Sequence, residues 1–512
     1  MPFSFLVMGG TFRGAVYFCV HEVKRMYRYT GQNTRSFSAV CGNRFGRMII
    51  TTGQDRITRD NIILELGKAL AIHQQNAIEI DYLDKYYRGD QPILYRKKQV
   101  RPDINNRVVQ NLAMFVVETK TSEMVGEPIQ YVLHGTDEAK SEQVTMLNTI
   151  MEGEDKSYFD IELCRWRSIC GTAYRFIGND EQRVHRPLLD ETDFYLSTED
   201  PRYTFVAYYT NGAPAFSCQI RHDVENRTYY NIFTDSEWFR VAENQIVASG
   251  INGNGAIPVI EYPNNARRLS DIEITISLTD EMNVMASDRA NGIEGFVSAW
   301  IKFVNCEVDK EQFEKMRLEG ALVVKSNNRT ENAKADVDIL SSELNQSESQ
   351  VAVNDQFEKL LIIQGIADRQ SNTGGDTAGA VQLRNGHSAM EKRSEISEPI
   401  FKRSERMALR IILNRLRINR GMTLLPSDVE IKISRTKSDN MLTKAEALQM
   451  LLTSGINPER AIKTVGLFSD PEQVAVESKE RLDILYPTTS AAVEAVQSSE
   501  EVIEVDNGAV GS

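Results

Sequence analysis

The constraint on this chain lies between Ser270 and Arg420, where two helical patterns bracket a short excursion and a Gly-rich break leads into a long basic helix. From Leu278 the apolar positions fall at Leu278, Met282, Met285, Ile293, Phe296 and Trp300, spacings that keep one stripe on one helix face. The opposite face is expected to be acidic. Six carboxylates, Asp271, Glu273, Asp280, Glu281, Asp288 and Glu294, stand against the single base Arg289. Val353, Phe357, Leu360, Leu361 and Gln364 then repeat a helical spacing over 351–370, and the pattern breaks at Asn372-Thr-Gly-Gly-Asp-Thr-Ala-Gly379. From Val381 a third helical pattern runs for about ten turns. It carries Ile396, Ile400, Met407, Ile411 and Ile418 on one stripe, with a kink expected at Pro399.

A chain of 512 residues exceeds one ordinary core and predicts two to four domains, and 41% hydrophobic with 26% charged content is that of a globular protein. The net charge of −13 argues against wrapping nucleic acid on the outside, which needs clustered Lys and Arg, and fits a protein that nucleic acid passes without sticking. None of the six cysteines forms a CxxC pair or a metal spacing with histidine, so reduced, buried thiols are expected.

The first 50 or so residues differ from the rest. Met1–Cys19 is apolar, and Lys24, Arg25, Arg28, Arg35, Arg44 and Arg47 follow without amphipathic period. The order of bases and apolar run does not fit a signal peptide, and no stretch reaches the length of a membrane helix. A mobile basic arm and sequence upstream of a start near Met48 are both open readings. From Thr58 or Asp60 a helix through Ile62, Ile63, Leu66 and Leu70 is expected, then a second helical run to Gly89, a further helix from Asn105 through Val108, Val109, Leu112, Phe115 and Val116 to Gly126, and a strand over 129–133. A helix through Ile161, Leu163, Cys164, Trp166 and Ile169 precedes β runs at 204–209, 215–221, 228–233 and 238–241. Turns at Asn211-Gly212 and Asp235-Ser236 make these an antiparallel meander. The tyrosines there (203, 208, 209, 229 and 230) read as half-buried sheet faces rather than base-stacking platforms.

Tyr86-Tyr-Arg-Gly89 with Ile93-Leu94, Asn105-Asn-Arg-Val-Val-Gln-Asn111, Val117-Glu-Thr-Lys120 and Val125-Gly-Glu-Pro128 follow one another within about 40 residues. In that order and spacing they resemble the opening of the portal (head-tail connector) proteins of tailed double-stranded DNA bacteriophages, of the siphophage type. The resemblance resumes at Ser270-Asp271, Ser287-Asp-Arg-Ala-Asn291 and Gly374–Gly379, covering about Asn61 to Tyr486.

The resemblance implies an α+β portal fold. Its parts would be an atypical extension (1–56), the first part of a wing (57–269), a stem helix (270–301), a small αβ clip (302–350) and a second stem helix (351–371). A tunnel loop (372–380), a long kinked helix returning to the wing (381–440), a helical crown (441–486) and a disordered acidic tail (487–512) would follow. It further implies a closed homo-oligomeric ring of about twelve subunits at one capsid vertex of a virion, assembled in the host cytoplasm. Double-stranded DNA would be packaged and ejected through it. Implied partners are the terminase large subunit, head completion or adaptor proteins, and major capsid and scaffolding proteins, with no membrane. The tunnel loop Asn372, Thr373, Gly374, Gly375, Asp376, Thr377, Ala378 and Gly379 would touch DNA. Asp280, Glu281 and Asp288 of the stem would face the channel.

Other chemistry finds little support. The 374–379 glycines lack the GxxxxGK[ST] order that phosphate cradling needs, since Ala380-Val381 follow. No HExxH, G-x-S-x-G or His-Cys cluster is present, so no catalytic, cofactor or metal residues are assigned. The basic helix has nine bases over 392–420, among them Lys402, Arg403, Arg406 and Arg410, against four acids. It leaves open a non-ring DNA-binding protein, or a helix whose bases pair with the acidic stem of a neighbouring subunit. An enzyme of packaging with an unseen site is the remaining class.

Overall fold

The computed structural model describes residues 45–99, 102–135, 137–179, 194–297, 346–366, 387–433 and 441–468, with short pieces within 300–340 and 474–481. The chain divides into two compact units, one built from 85–114 and 274–386 and the other from 43–84, 115–273 and 387–512, with the segment before 43 grouped with the first. The overall class is mixed helix and sheet, as expected.

The larger unit holds most of the sheet. Strand β1 (Ile50–Thr52) pairs in parallel with β5 (Thr204–Tyr209), and β5, β6 (Pro214–His222), β7 (Thr228–Phe233), β8 (Glu237–Ala242) and β9 (Gln245–Ile251) form an antiparallel meander beside it. The four expected β runs are all present. Apolar residues at alternate positions, Phe216 and Cys218 on β6 and Phe239 and Val241 on β8, are buried and pack against Ile62, Leu66 and Ala69 of helix α1 (Ile62–Tyr87). Tyr208, Tyr209, Tyr229 and Tyr230 are half-buried, as sheet-face residues should be, whereas Tyr203 precedes β5 and is 46% exposed.

A second core gathers around helix α7 (His387–Arg420). Helices α2 (Leu112–Val125), α3 (Glu138–Gly153) and α4 (Lys156–Cys170) surround it with β2 (Gln130–Leu133), β3 (Thr172–Asn179), β4 (Phe194–Glu199), β10 (Val259–Pro263) and β15 (Val429–Lys432). Sheet pairings are β10-β3-β4 and β15-β2, all antiparallel. Sequence reading missed α3. Its start is set by Asp137, whose carboxylate accepts the backbone N–H of Ala139 at 3.1 Å, and its apolar positions Val144, Leu147, Ile150 and Met151 make one buried stripe. Helix α4 ends at Gly171 with φ +83, where an added Cβ would lie 2.0 Å from the Arg268 carbonyl oxygen, so glycine is required by both conformation and space.

The smaller unit contains α5 (Ile276–Val297) and α6 (Gln346–Gln364), with β11 (Trp300–Val304), β12 (Cys306–Glu307), β13 (Lys325–Ser326) and β14 (Asp336–Leu340) between them. Strands β11 and β14 pair antiparallel, as do β12 and β13. Trp300 starts a strand and does not continue the apolar stripe of α5. Most of 308–324 within the expected clip lies outside the described residues, as do 1–44, most of 469–481 and the tail from 482. Helix α8 (Met441–Thr453) takes Thr443 inside the helix and not as its cap, while α9 (Pro458–Val465) opens on a proline at its first position.

One expectation is overturned. The segment 105–111 is not the first turns of a helix; it runs extended, and α2 begins only at Leu112, after Asn111 in a left-handed conformation (φ 47). The valines at 108 and 109 fit a helical period, but the backbone N–H groups of this segment find better acceptors on α5.

Candidate functional site

Helix α5 buries a polar stripe. Thr275, at the turn before it, and Thr279, Asn283, Ser287 and Asn291 recur every four residues and are all at most 6% exposed. The apolar stripe expected to face the core is only partly buried: Met282 is covered, Leu278 and Met285 half-covered, and Ile293 is 48% exposed. Asn283 Oδ1 accepts the N–H of Gln110 at 3.0 Å, Ser287 Oγ that of Val108 at 2.9 Å, and Asn291 Oδ1 that of Asn106 at 2.6 Å. Four residues of helix rise about 6 Å and two residues of extended chain about 6.6 Å, so the two repeats stay in step over three rungs. The helix thus presents side-chain acceptors where a neighbouring strand would present carbonyls. Cross-ties close the ladder. Asn283 Nδ2 donates to Gln91 Oε1 at 2.5 Å, and Gln91 Nε2 donates to Asn111 Oδ1 at 3.2 Å and to the Tyr86 carbonyl at 3.1 Å.

The candidate carboxylates of α5 occupy different surroundings. Asp280 is half-buried and accepts the hydroxyl of the fully buried Tyr86 at 2.9 Å. Glu281 is exposed. Asp288, its side chain 49% exposed, pairs with Arg96 at 2.7 Å through Oδ1. The short blocks around Tyr86, Asn105–Asn111 and Ser287–Asn291, far apart in the chain, therefore form one hydrogen-bonded assembly in the smaller unit.

Helix α7 has two faces. Phe401, Ser404, Glu405, Ala408, Leu409, Ile411, Ile412, Leu413 and Leu416 are buried, while Arg403, Arg406 and Arg410 are exposed and have no ion pair among the described residues. Lys402 pairs with Glu398 at 2.6 Å within the helix. Glu405, which in the sequence reads as one more surface acid among bases, is wholly buried. Its Oε1 lies 3.2 Å from Lys156 Nζ and 2.5 Å from the Tyr131 hydroxyl; its Oε2 lies 3.3 Å from Arg175 and 2.7 Å from the Tyr262 hydroxyl. Asp160 pairs with both Lys156 and Arg175, so two anions balance two cations. Burial alone would raise the Glu405 carboxyl; the charges of Lys156 and Arg175 and the two phenol donors overrule it and hold the group at about 2.

A second buried pair ties residues near the start of the described chain to the turn before α5. Arg47 and Glu273 form a salt bridge with both side chains at most 2% exposed, and the backbone N–H of Ser270 donates to Glu273 Oε2 at 2.8 Å. Burial nevertheless pushes Glu273 up to about 7. Cys164, Cys170 and Cys218 are buried free thiols, and burial raises the first two to about 12. Among the described residues no group of His, Cys, Asp and Glu has a metal-binding arrangement, and no helix is long and apolar enough to cross a membrane.

The sequence model of the family described as "Phage portal protein, SPP1 Gp6-like" matches residues 66–483. The chain belongs to the SPP1 Gp6-like phage portal family. Among solved structures, this portal chain is similar to a chain in the neck of an empty GTA particle computed with C6 symmetry. The identity is 11% and the TM-score 0.40, over 69% of this chain and 90% of that one. It is likewise similar to a chain in the virion of a native gene transfer agent particle, at 10% identity and TM-score 0.38 over 69% and 89% of the two chains. No match was found among curated proteins.

Of the site residues expected for the portal, Glu281 and Asp288 lie seven residues apart on α5 and are both exposed, while Asp280 is engaged by Tyr86. Arg403, Arg406 and Arg410 share one exposed face, and Lys402 is held by Glu398. The expected tunnel loop, 372–379, lies outside the described residues. The sequence marked Ser287 and Asn291 only as the ends of a motif and missed both Asn283 and the ladder role of all three. A polar residue every fourth position was the available signal, hidden by the search for an apolar stripe.

Proposed function

We propose that the chain assembles into a closed ring at one capsid vertex and forms the channel through which double-stranded DNA is packaged and later ejected. The family match over 66–483 carries this reading. In it, α5 and α6 are the stem, the excursion between them is the clip that meets the terminase motor and then the head completion proteins, and 372–379 is the tunnel loop that touches DNA. Residues 57–269, with the return over 381–440, form the wing, and α8 and α9 belong to the crown. The chain does no catalysis of its own; the motor supplies the work.

The physical requirement on the channel wall is that DNA must not park. Duplex DNA carries one negative charge per roughly 1.7 Å of axis, and carboxylates along the wall repel it weakly everywhere. Asp280, Glu281 and Asp288 are proposed as such groups, with Glu281 and Asp288 supported by their exposure. The ladder suits a stem that must bear load, since it fixes α5 by directional bonds where apolar packing would permit sliding. Reversing Glu281 and Asp288 to Lys is expected to slow or stall packaging in rings that still assemble. Normal packaging by such rings would remove these residues from the channel.

The exposed arginines of α7 favour one alternative, a non-ring DNA-binding protein. A monomeric chain with steeply salt-dependent duplex affinity would establish it.

A further inference from the structure

Three arginines with no salt-bridge partner among the described residues stand on one face of α7. Arg403, Arg406 and Arg410 are exposed and within about 60° of one another around the helix, and Arg417 extends the row. Arg417 reaches only the Leu424 carbonyl, at 3.5 Å. The row from Arg403 to Arg417 is about 21 Å long at 1.5 Å per residue. The chain has 72 acidic residues against 59 basic ones, and Lys402 on the same helix does find a carboxylate, so the lack of partners for these guanidinium groups is not a shortage of acids. Guanidinium favours bidentate carboxylate or phosphate over water more than an ammonium does, which makes an open row of it a surface for an anionic partner.

The chain supplies such a partner. Beyond Pro487 there is no Lys, Arg or His, and the acids are Glu494, Glu500, Glu501, Glu504 and Asp506. The last four fall within six residue steps, about 20 Å when extended, the length of the arginine row. Nineteen residues, the number from 482 to 500, would span roughly 24 Å if a random coil and about 60 Å at full stretch, so chain length does not tie the acidic cluster to Arg481. We infer that the acidic segment 500–506 docks along the Arg403–Arg417 face of α7, occupying a surface that would otherwise hold nucleic acid phosphates. The segment then acts as an internal competitor, keeping a basic helix from trapping DNA non-specifically. This inference does not rest on the ring reading.

The test uses the full-length chain, a fluorescent peptide of residues 494–512, and a variant with the tail acids neutralised (E500Q, E501Q, E504Q, D506N). The peptide is expected to bind this variant, to be released as salt rises, and to weaken at least about ten-fold when R403Q, R406Q and R410Q are added. The neutralised chain should also bind duplex DNA about ten-fold more tightly than the unaltered chain at low salt, and this gain should vanish when the three arginines are replaced. The arginines are exposed and have no ion pair among the described residues, so Gln in their place should leave folding intact, which an unchanged thermal midpoint checks. Absence of peptide binding to the arginine-intact chain overturns the inference. So does an equal gain in DNA affinity with the arginines removed, because the tail would then act only through net charge.

Discussion

Asn283 Oδ1 accepts the backbone N–H of Gln110 at 3.0 Å while its own amide nitrogen donates to Gln91 at 2.5 Å, so one buried side chain joins an extended segment, a turn and a helix. Replacing Asn283 by Ala leaves the buried Gln91 amide oxygen and the partly covered Gln110 N–H without these partners. The expected cost is about 1–3 kcal/mol. Ser287→Ala removes one acceptor and should cost about 1 kcal/mol, while Glu281→Gln, on the exposed face of the same helix, should stay within about 0.5 kcal/mol. Denaturant unfolding of the three variants checks the order.

Glu405 balances Lys156 and Arg175 inside the α7 core. Glu405→Gln keeps the shape and removes the charge, leaving a net positive cluster with no water to screen it. A loss of roughly 3–5 kcal/mol is expected, read as a fall in thermal midpoint. By contrast, Arg403→Gln on the exposed face should leave the midpoint unchanged.

The two buried acids should give opposite pH dependence. Glu405 has a folded value of about 2, below its ordinary 4.5, so the stability it contributes is present above pH 4.5 and is lost as pH falls toward 2. Glu273 sits at about 7, above its ordinary 4.5. Between pH 4.5 and 7 the folded state holds a proton on Glu273 that the unfolded chain has released, so this group lowers stability as pH rises through that window. Glu273→Gln should flatten the slope of the denaturant midpoint against pH between 4.5 and 7 and leave the acid limb below 4.5 in place.

Much of the larger unit was legible because local signals and burial agree there. The outer meander strands β8 and β9 alternate as half-buried strands must, β5 and β6 are buried over four and five successive residues, and α9 begins at its proline signal. The smaller unit was legible in type and misread in orientation. Leu278, Met282, Met285 and Ile293 marked a helix correctly, but which face is buried was decided by hydrogen bonds from 105–111, a segment whose valines mimic a helical start. Glu405 was hidden for a related reason: a carboxylate among bases reads as solvated, and only the convergence of Lys156, Arg175, Tyr131 and Tyr262 from four other elements makes it a core residue. The face-sharing of Arg403, Arg406 and Arg410 follows from helical spacing alone, while their lack of a carboxylate partner required the fold.

The central claim is the ring. Native mass spectrometry of the purified full-length chain, with negative-stain imaging of the same sample, tests it most directly. The account predicts closed assemblies of about twelve copies with a central hole. A chain that stays monomeric at high concentration would contradict it.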